Sequence, residues 1–473
     1  MKLPVDLFIN NEFRPTIKRT PQINPHTEEP FAETAAADLA DLNTAVESAD
    51  KTFRQTWRDL APGKRAEILY KMAASIRAHV EAIAEWEAQC IGKPISDARD
   101  EILLGARIFE YYAGAIGKFF GHTIPVARGG FDFTLRQPLG AIAAIVPWNF
   151  PFPIACWKVA PALAAGNTVV LKPATLSPCT ALGLGQIAAE AGLPAGALQV
   201  ITGSGGTLGD ALVTHPLIRK ISFTGSTEIG SRIMSMAAKD IKRISLELGG
   251  KSPNIIFADA DLEKAATSSP MSVFANTGQD CCARSRTFVE ASVYDRFVEL
   301  FTNATKQIKV GDPMDSDTQV GPMVSNKQRD SVEEFISSAR AARRKILGAE
   351  RPFPKGAYLN PTIILDTDTN DRVWREEIFG PVVCIRRFTD EAEMLREVNA
   401  SPYGLSGSLW TNDLKRALRV SRQIESGVLS INSHSSVHVE APFGGFKQSG
   451  LGRDLGMHAL EGFTELKNIY IAE

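Results

Sequence analysis

The chain has 473 residues, 44% hydrophobic and 22% charged, with a net charge of −2. That is enough for a large core in two or three domains, and it is not the composition of a disordered or fibrous chain. No run of one charge sign appears, so neither nucleic acid nor an anionic membrane surface is expected as a partner.

The first residues, MKLPVDLFINNEFRP, lack a basic segment leading into an apolar run. No stretch approaches about 18 consecutive apolar residues, so neither a secretory signal nor a membrane-spanning helix is expected. The cysteines (Cys90, Cys156, Cys179, Cys281, Cys282 and Cys384) follow no framework spacing, which predicts free thiols in a reducing cytoplasm. Cys281 and Cys282 are neighbours, and Cα atoms about 3.8 Å apart sit below the usual disulfide range.

In chain order, the first clear helix is predicted from Pro62 to Cys90. Ile68, Met72, Ile76, Val80 and Ile83 recur at helical spacing, and Gly92 and Pro94 stop it. A second helix is expected from Ser96 to about Phe120. From Gly140 onwards, short apolar runs (AIAAIV, TVVLK, LQVIT, KISFT) alternate with helical stretches over Pro153–Ala165, Cys179–Ala191 and Thr207–Thr214. This is the pattern of βαβ units and a parallel sheet, so a dinucleotide-binding α/β domain over 1–118 and 137–249 is the leading expectation. A second α/β region begins near Lys251 with PNIIF and runs through helices at 292–308 and 326–344 to GVLSINS. The glycine-rich APFGGFKQSGLGRDLG (441–456) reads as loop. Two lone strands, Phe131–Gln137 and Leu466–Ala472, are candidates for an intersubunit sheet, a small flap being the alternative.

The glycines of ITGSGGTLGDAL miss the G-x-G-x-x-G spacing by one residue, so no standard dinucleotide fingerprint is present. FTGSTEIG is a better phosphate cradle, because Gly225, Ser226 and Thr227 stand where a strand gives way to a helix N-terminus. An ordinary capped helix start explains it equally well. The histidines are dispersed and no H-E-x-x-H or C-x-x-C occurs, so no metal is expected. A nucleophilic cysteine needs a base and an oxyanion donor. No histidine lies near NTGQDCCARSR, so the candidate base is Glu247 of SLELGGKSP, whose apolar setting would raise its pKa. A salt-bridged core glutamate is the competing reading. Asn149 of PWNFP, directly after a strand, could hold an oxyanion, and Lys172 of LKPA stands at the end of the next strand.

These motifs, with FINNEF, EEIFGPV and PFGGFKQSG, run the length of the chain in an order that resembles the aldehyde dehydrogenase superfamily, specifically its hydrolytic members. The glutamate-to-cysteine offset, 281 − 247 = 34 residues, matches that resemblance. It implies an aldehyde dehydrogenase-like α/β fold: a Rossmann-like cofactor domain (1–118 and 137–249), an α/β catalytic domain (250–462) and oligomerisation strands (119–136 and 463–473). It implies Cys281 as nucleophile, Asn149 with the Cys281 backbone N–H as oxyanion hole, and Glu247 as general base. The cofactor, NAD or NADP, would be held by Lys172, Thr175, Pro147, Trp148, Gly205, Gly225, Ser226, Glu377 and Phe379. The substrate pocket would comprise Leu104, Phe150, Trp157, Ala275, Cys282, Ser435 and Val437.

The expected reaction is oxidation of a small-molecule aldehyde to the carboxylic acid through a Cys281 thiohemiacetal and a thioester hydrolysed by Glu247-activated water. The partner is otherwise a second copy of the chain, in a homodimer or homotetramer. Two departures stand out. Thr175 replaces the glutamate of many NAD-preferring relatives, and Asp280 adjoins the nucleophile, where it is expected to face away towards Arg284 or Arg286, the alternative being that it lines the substrate entrance and favours cationic aldehydes. The pocket favours an apolar aliphatic or aromatic aldehyde. An amino aldehyde or semialdehyde is the alternative, and a catalytically silent relative a remote one.

Overall fold

A computed structural model describes residues 4–472. Its largest sheet has eight strands, in the order Glu12–Arg14, Leu7–Ile9, Leu198–Val200, Thr168–Lys172, Ala141–Ile145, Ile218–Thr224, Arg243–Glu247, Gly450–Leu451. The five from Leu198–Val200 to Arg243–Glu247 are parallel. Ala141–Ile145 and Thr168–Lys172 are almost wholly buried, which is why they read as unbroken apolar runs and not as alternating strands. Every residue of helix Pro151–Ala164 is also buried, Lys158 included.

A second sheet has seven strands, in the order Lys345–Leu347, Thr362–Leu365, Val382–Phe388, Arg286–Glu290, Pro253–Ile256, Ser406–Trp410, Val428–Ile431. All pairs are parallel except that of Lys345–Leu347 with Thr362–Leu365.

Several expectations are corrected. The helix expected over 62–90 is two, Pro62–Ala78 and Val80–Ile91, broken at His79 (φ −116°, ψ 17°). The apolar spacing continues across the break, so periodicity could not reveal it. Gly92 closes the second helix at φ 77°, a left-handed conformation that glycine adopts without strain. The next helix, Ile95–Ala115, tightens into a 3₁₀ turn well before Phe120. Thr207–Thr214 is not one α-helix: glycine-rich Gly205–Gly209 forms a π-type turn ahead of Asp210–Thr214.

The chain's last strand, Thr464–Ile471, does find a partner. It pairs antiparallel along its whole length with Phe131–Pro138, which also pairs with Thr123–Ile124. Residues 441–456 are not all loop either. Gly450–Leu451 joins the edge of the first sheet, pairing Gly450 with Glu247 and Leu451 with Leu246. Among the described residues no helix is long and apolar enough to cross a membrane.

Candidate active site

The parallel register places the carboxyl ends of four strands side by side: Lys172 against Ile145, Ile145 against Phe223, and Thr224 against Glu247. Ligands of open α/β sheets bind at this edge. Asn149 follows the end at Ile145, Lys172 and Glu247 terminate their own strands, and Gly225 and Ser226 follow the end at Thr224.

The cysteine loop is brought to this edge by an unusual backbone. Asn276 and Thr277 both have positive φ, 49° and 57°, a left-handed conformation that costs non-glycine residues energy and must be held by surrounding contacts. The Thr277 hydroxyl donates to Gly321 O at 3.0 Å, and the Asn276 amide donates to Asn149 O at 2.9 Å. At Gly278 (φ 70°) a Cβ would meet Gly380 O at 2.0 Å, and at Gly250 one would meet Cys281 O at 2.4 Å. The loop is thus clamped between two backbones that only glycine lets approach. Asn149, 4% exposed, donates through Nδ2 to Gln279 O at 2.9 Å. Its carboxamide is therefore fixed to the loop that carries Cys281.

Cys281, Cys282 and Glu247 line a cavity of about 700 Å³, together with Leu104, Phe150, Trp157, Ser435 and Val437. Phe443 packs edge-on against Trp157, with ring centroids 5.2 Å apart. Ala275, assigned to this pocket from sequence, is not among its lining residues. Helix Met271–Phe274 ends there in extended geometry (φ −53°, ψ 146°), and Met271 and Ser272 supply the wall instead.

Asp280 also departs from expectation: it lines the cavity. Its Oδ1 accepts from the Cys282 N–H at 2.8 Å. Both arginines expected to draw it away are engaged elsewhere. Arg284 donates to Ser408 Oγ at 2.8 Å and to Cys282 O, and Arg286 donates to Lys251 O at 3.0 Å.

The reactive groups are held towards their neutral forms. The Cys282 thiol beside it, followed by burial and then nearby carboxylates, pushes the Cys281 thiol well up. Burial and the Asp454 carboxylate push Glu247 well above the usual carboxylate range, against the opposing pull of Lys158 and Arg453. Among the described residues neither Glu247 oxygen has a hydrogen-bond partner.

Lys158 and Asp454 were not singled out in the sequence. They form a buried ion pair at 2.9 Å, with side chains 0% and 1% exposed, and Lys158 also donates to Ser222 Oγ at 3.2 Å. A lysine inside the apolar ACWKVAPAL helix was the available signal. Lys93 was missed as well. Fully buried, it pairs with Glu101, donates to Asn149 O at 3.1 Å and lies 4.1 Å from the centroid of the Phe150 ring.

On the opposite side, Lys172 is 3% exposed, donates only to Pro173 O at 3.2 Å, and is pushed down to about 8 by burial. Thr175 donates to Gly203 O at 3.0 Å. Gly225 N–H donates to Glu247 O at 3.0 Å, and Ser226 caps helix Thr227–Ala238 by accepting from Ile229 N–H. The capped-helix reading therefore holds, and it leaves the other N–H groups of the first turn free for a phosphate. Gly205 lies exposed at the start of its π-type turn. Glu377 accepts from Gly250 N–H at 2.9 Å and is pushed up to about 7 by burial. Trp148, which follows Pro147, packs edge-on against Phe379, with centroids 5.3 Å apart.

A model of the aldehyde dehydrogenase family matches residues 13–469. The chain is 42% identical over 472 residues to the NADP/NAD-dependent aldehyde dehydrogenase PuuC of Escherichia coli (strain K12), covering 98% of this chain and 95% of that protein. It is 40% identical over 486 residues to a phenylacetaldehyde dehydrogenase of Pseudomonas fluorescens, covering 100% and 97%. Among solved structures, the indole-3-acetaldehyde dehydrogenase AldA of P. syringae, in complex with NAD+ and IAA, superposes with a TM-score of 0.98 at 38% identity, covering 100% and 97%.

Proposed function

Because the chain belongs to the aldehyde dehydrogenase family and is an NAD(P)-dependent enzyme, we propose that it oxidises an apolar aromatic or aliphatic aldehyde to the carboxylic acid through covalent catalysis at Cys281. The observation that carries this reading is the convergence of Cys281 and Glu247 on one cavity walled by Phe150, Trp157 and Phe443. Relatives named for phenylacetaldehyde and indole-3-acetaldehyde support an aromatic substrate.

The residues at the sheet edge fit a dinucleotide. Lys172 has donor capacity beyond its one carbonyl contact, and the first turn of Thr227–Ala238 offers backbone N–H groups. Glu377, poised above Gly250, and Phe379 would hold the nicotinamide end. Thr175 has no charge to repel a 2′-phosphate, which supports use of NADP as well as NAD. The bound nicotinamide supplies the hydride acceptor that turns the cysteine adduct into a thioester.

In this reading the Cys281 thiol gives up its proton to solvent, the thiolate sulfur bonds to the aldehyde carbon, and the oxyanion so formed is met by the Asn149 amide and the Cys281 N–H. The apolar wall keeps bulk water from the adduct. Glu247, isolated from any hydrogen-bond partner, is a strong base once ionised and takes the proton of the water that attacks the thioester. The Phe131–Pro138 and Thr464–Ile471 strands, with Leu135 and Leu466 exposed, support a homo-oligomer built on that sheet.

The test is reduced-cofactor absorbance with NAD or NADP against aliphatic, aromatic, amino and carboxylated aldehydes. The highest kcat/KM is expected for an aromatic or long aliphatic member. A preference of more than about tenfold for the amino or carboxylated member would overturn the substrate assignment. Cys281→Ala should abolish turnover with every member.

A further inference from the structure

Asp280, Cys281 and Cys282 each offer one ligand atom, and the three atoms lie within 4.8 Å of one another. All three residues line the same cavity. No metal-ligand spacing is present in the sequence, and this cluster would escape any such pattern because its donors are consecutive residues. A tetrahedral zinc ion with bonds of about 2.3 Å to sulfur needs its ligands roughly 3.8 Å apart. The three donors, all within 4.8 Å of one another, stand at most about 1 Å outside that separation. The donor set, two sulfurs and one carboxylate, suits a thiophilic cation and not magnesium or calcium. The backbone already aims it: the Cys282 N–H holds the Asp280 carboxylate, and the clamp on the loop at Gly250 and Gly278 fixes the position of Cys281.

We propose that Asp280, Cys281 and Cys282 form a three-donor site for a thiophilic divalent cation, with the fourth position open to solvent, and that occupancy reversibly withdraws the nucleophile. The reading rests on Cys281 being that nucleophile. On binding, two S–H bonds break, their protons leave to solvent, and two metal–sulfur bonds form with no change of oxidation state. Cys282 thereby has a role besides shaping the pocket, since without it the site keeps only one sulfur and one carboxylate donor.

Zn2+ is titrated into the enzyme, freed of thiol reductant, while reduced cofactor is followed. Inhibition is expected to be competitive with aldehyde, reversed by EDTA, and stronger as pH rises, because binding releases protons. Cys282→Ser should raise the half-inhibitory Zn2+ concentration by roughly tenfold or more, and Asp280→Asn by a smaller factor, each measured against the variant's own metal-free rate. Co2+ should give a sulfur-to-metal charge-transfer absorption that weakens in Cys281→Ser and in Cys282→Ser. Zn2+ should also protect Cys281 from alkylation by iodoacetamide.

An unchanged half-inhibitory concentration in Cys282→Ser, or Co2+ binding without the thiolate band, overturns the proposal. If Cys281→Ala still turns over, the nucleophile assignment fails. The cobalt band reports separately on the donor set, so the two failures are distinguishable.

Discussion

The buried Lys158–Asp454 pair offers the sharpest test of how Glu247 is tuned. Its partners are 0% and 1% exposed and 2.9 Å apart, and Asp454 is fixed independently by backbone hydrogen bonds to and from Phe443, both 2.8 Å. Lys158→Met strands a carboxylate in the core. Removing one partner of such a pair costs about 3–5 kcal/mol, whereas replacing both by apolar groups is often neutral. The expected result in urea is a large fall in the unfolding midpoint for Lys158→Met, with most of it recovered in Lys158→Met/Asp454→Leu.

The effect on chemistry has a sign that stability does not. Asp454 raises the Glu247 pKa and Lys158 lowers it. Lys158→Met should therefore move the ascending limb of turnover, which follows ionisation of Glu247, to higher pH. Asp454→Asn should move it to lower pH. The assay is steady-state turnover against pH at saturating substrate, with a burst of reduced cofactor confirming that thioester hydrolysis limits the rate. Limbs that move in the same direction, or a Lys158→Met penalty under about 1 kcal/mol, would refute the reasoning.

Glu247→Gln should keep the burst of reduced cofactor and lose steady-state turnover by roughly a hundredfold or more, and full turnover would remove Glu247 from the mechanism. Thr175→Glu should shift the ratio of kcat/KM towards NAD over NADP by about tenfold or more, because a carboxylate there repels a 2′-phosphate. Lys172 loses its charge as pH rises through about 8 in the free enzyme. The KM for NADP should accordingly climb above that pH more steeply than the KM for NAD, and Lys172→Met should remove the difference. Lys93→Met removes one of two buried donors to the carbonyl of Asn149, leaving the Asn276 amide, and should lower kcat by roughly 10–100-fold, with less effect on KM, as measured by initial rates.

The parallel sheet was readable because strands buried on both faces leave continuous apolar runs, and the residues at their ends follow directly. Asn149, Lys172, Gly225 and Glu247 come together through nothing more than strand register. The second sheet was only partly read. Its Thr362–Leu365, Val382–Phe388 and Ser406–Trp410 strands are separated by helices of only four and nine residues, Arg372–Arg375 and Glu391–Asn399, too short to mark βαβ units by periodicity. What escaped entirely was pairing between distant side chains, such as Lys158 with Asp454 or Lys93 with Asn149, whereas Thr464–Ile471 and Phe131–Pro138 were expected in one sheet but across a subunit contact, and they pair within the chain. Each residue alone is consistent with many environments, and only the fold selects one. Asp280 failed for a related reason. A sequence reading assigns a charge to its nearest opposite neighbour, but Arg284 is held by Ser408, Ser436 and the backbone of Cys282 and His434.

The electrostatics around Glu247 also order the proposed steps. Cys282 raises the Glu247 pKa, while Asp280 and Glu377 raise that of Cys281, so extra negative charge in the cavity opposes ionisation of either group. A thiolate and a Glu247 carboxylate standing together in this space would repel each other at low dielectric. When sulfur bonds to carbon the thiolate charge passes to the oxyanion and then leaves with the hydride, so the thioester is neutral. Ionisation of Glu247 then meets less opposition than it did before attack. Gly444 shows how little room is left around that carboxylate: a Cβ there would lie 2.6 Å from Glu247 Oε1. Gly450, on the same glycine-rich segment, pairs with Glu247 itself. That segment, read from sequence as loop, packs against the base and closes one side of its apolar enclosure. The proposed base is thus hardest to ionise while a free thiolate stands beside it, and most readily ionised when the thioester needs water.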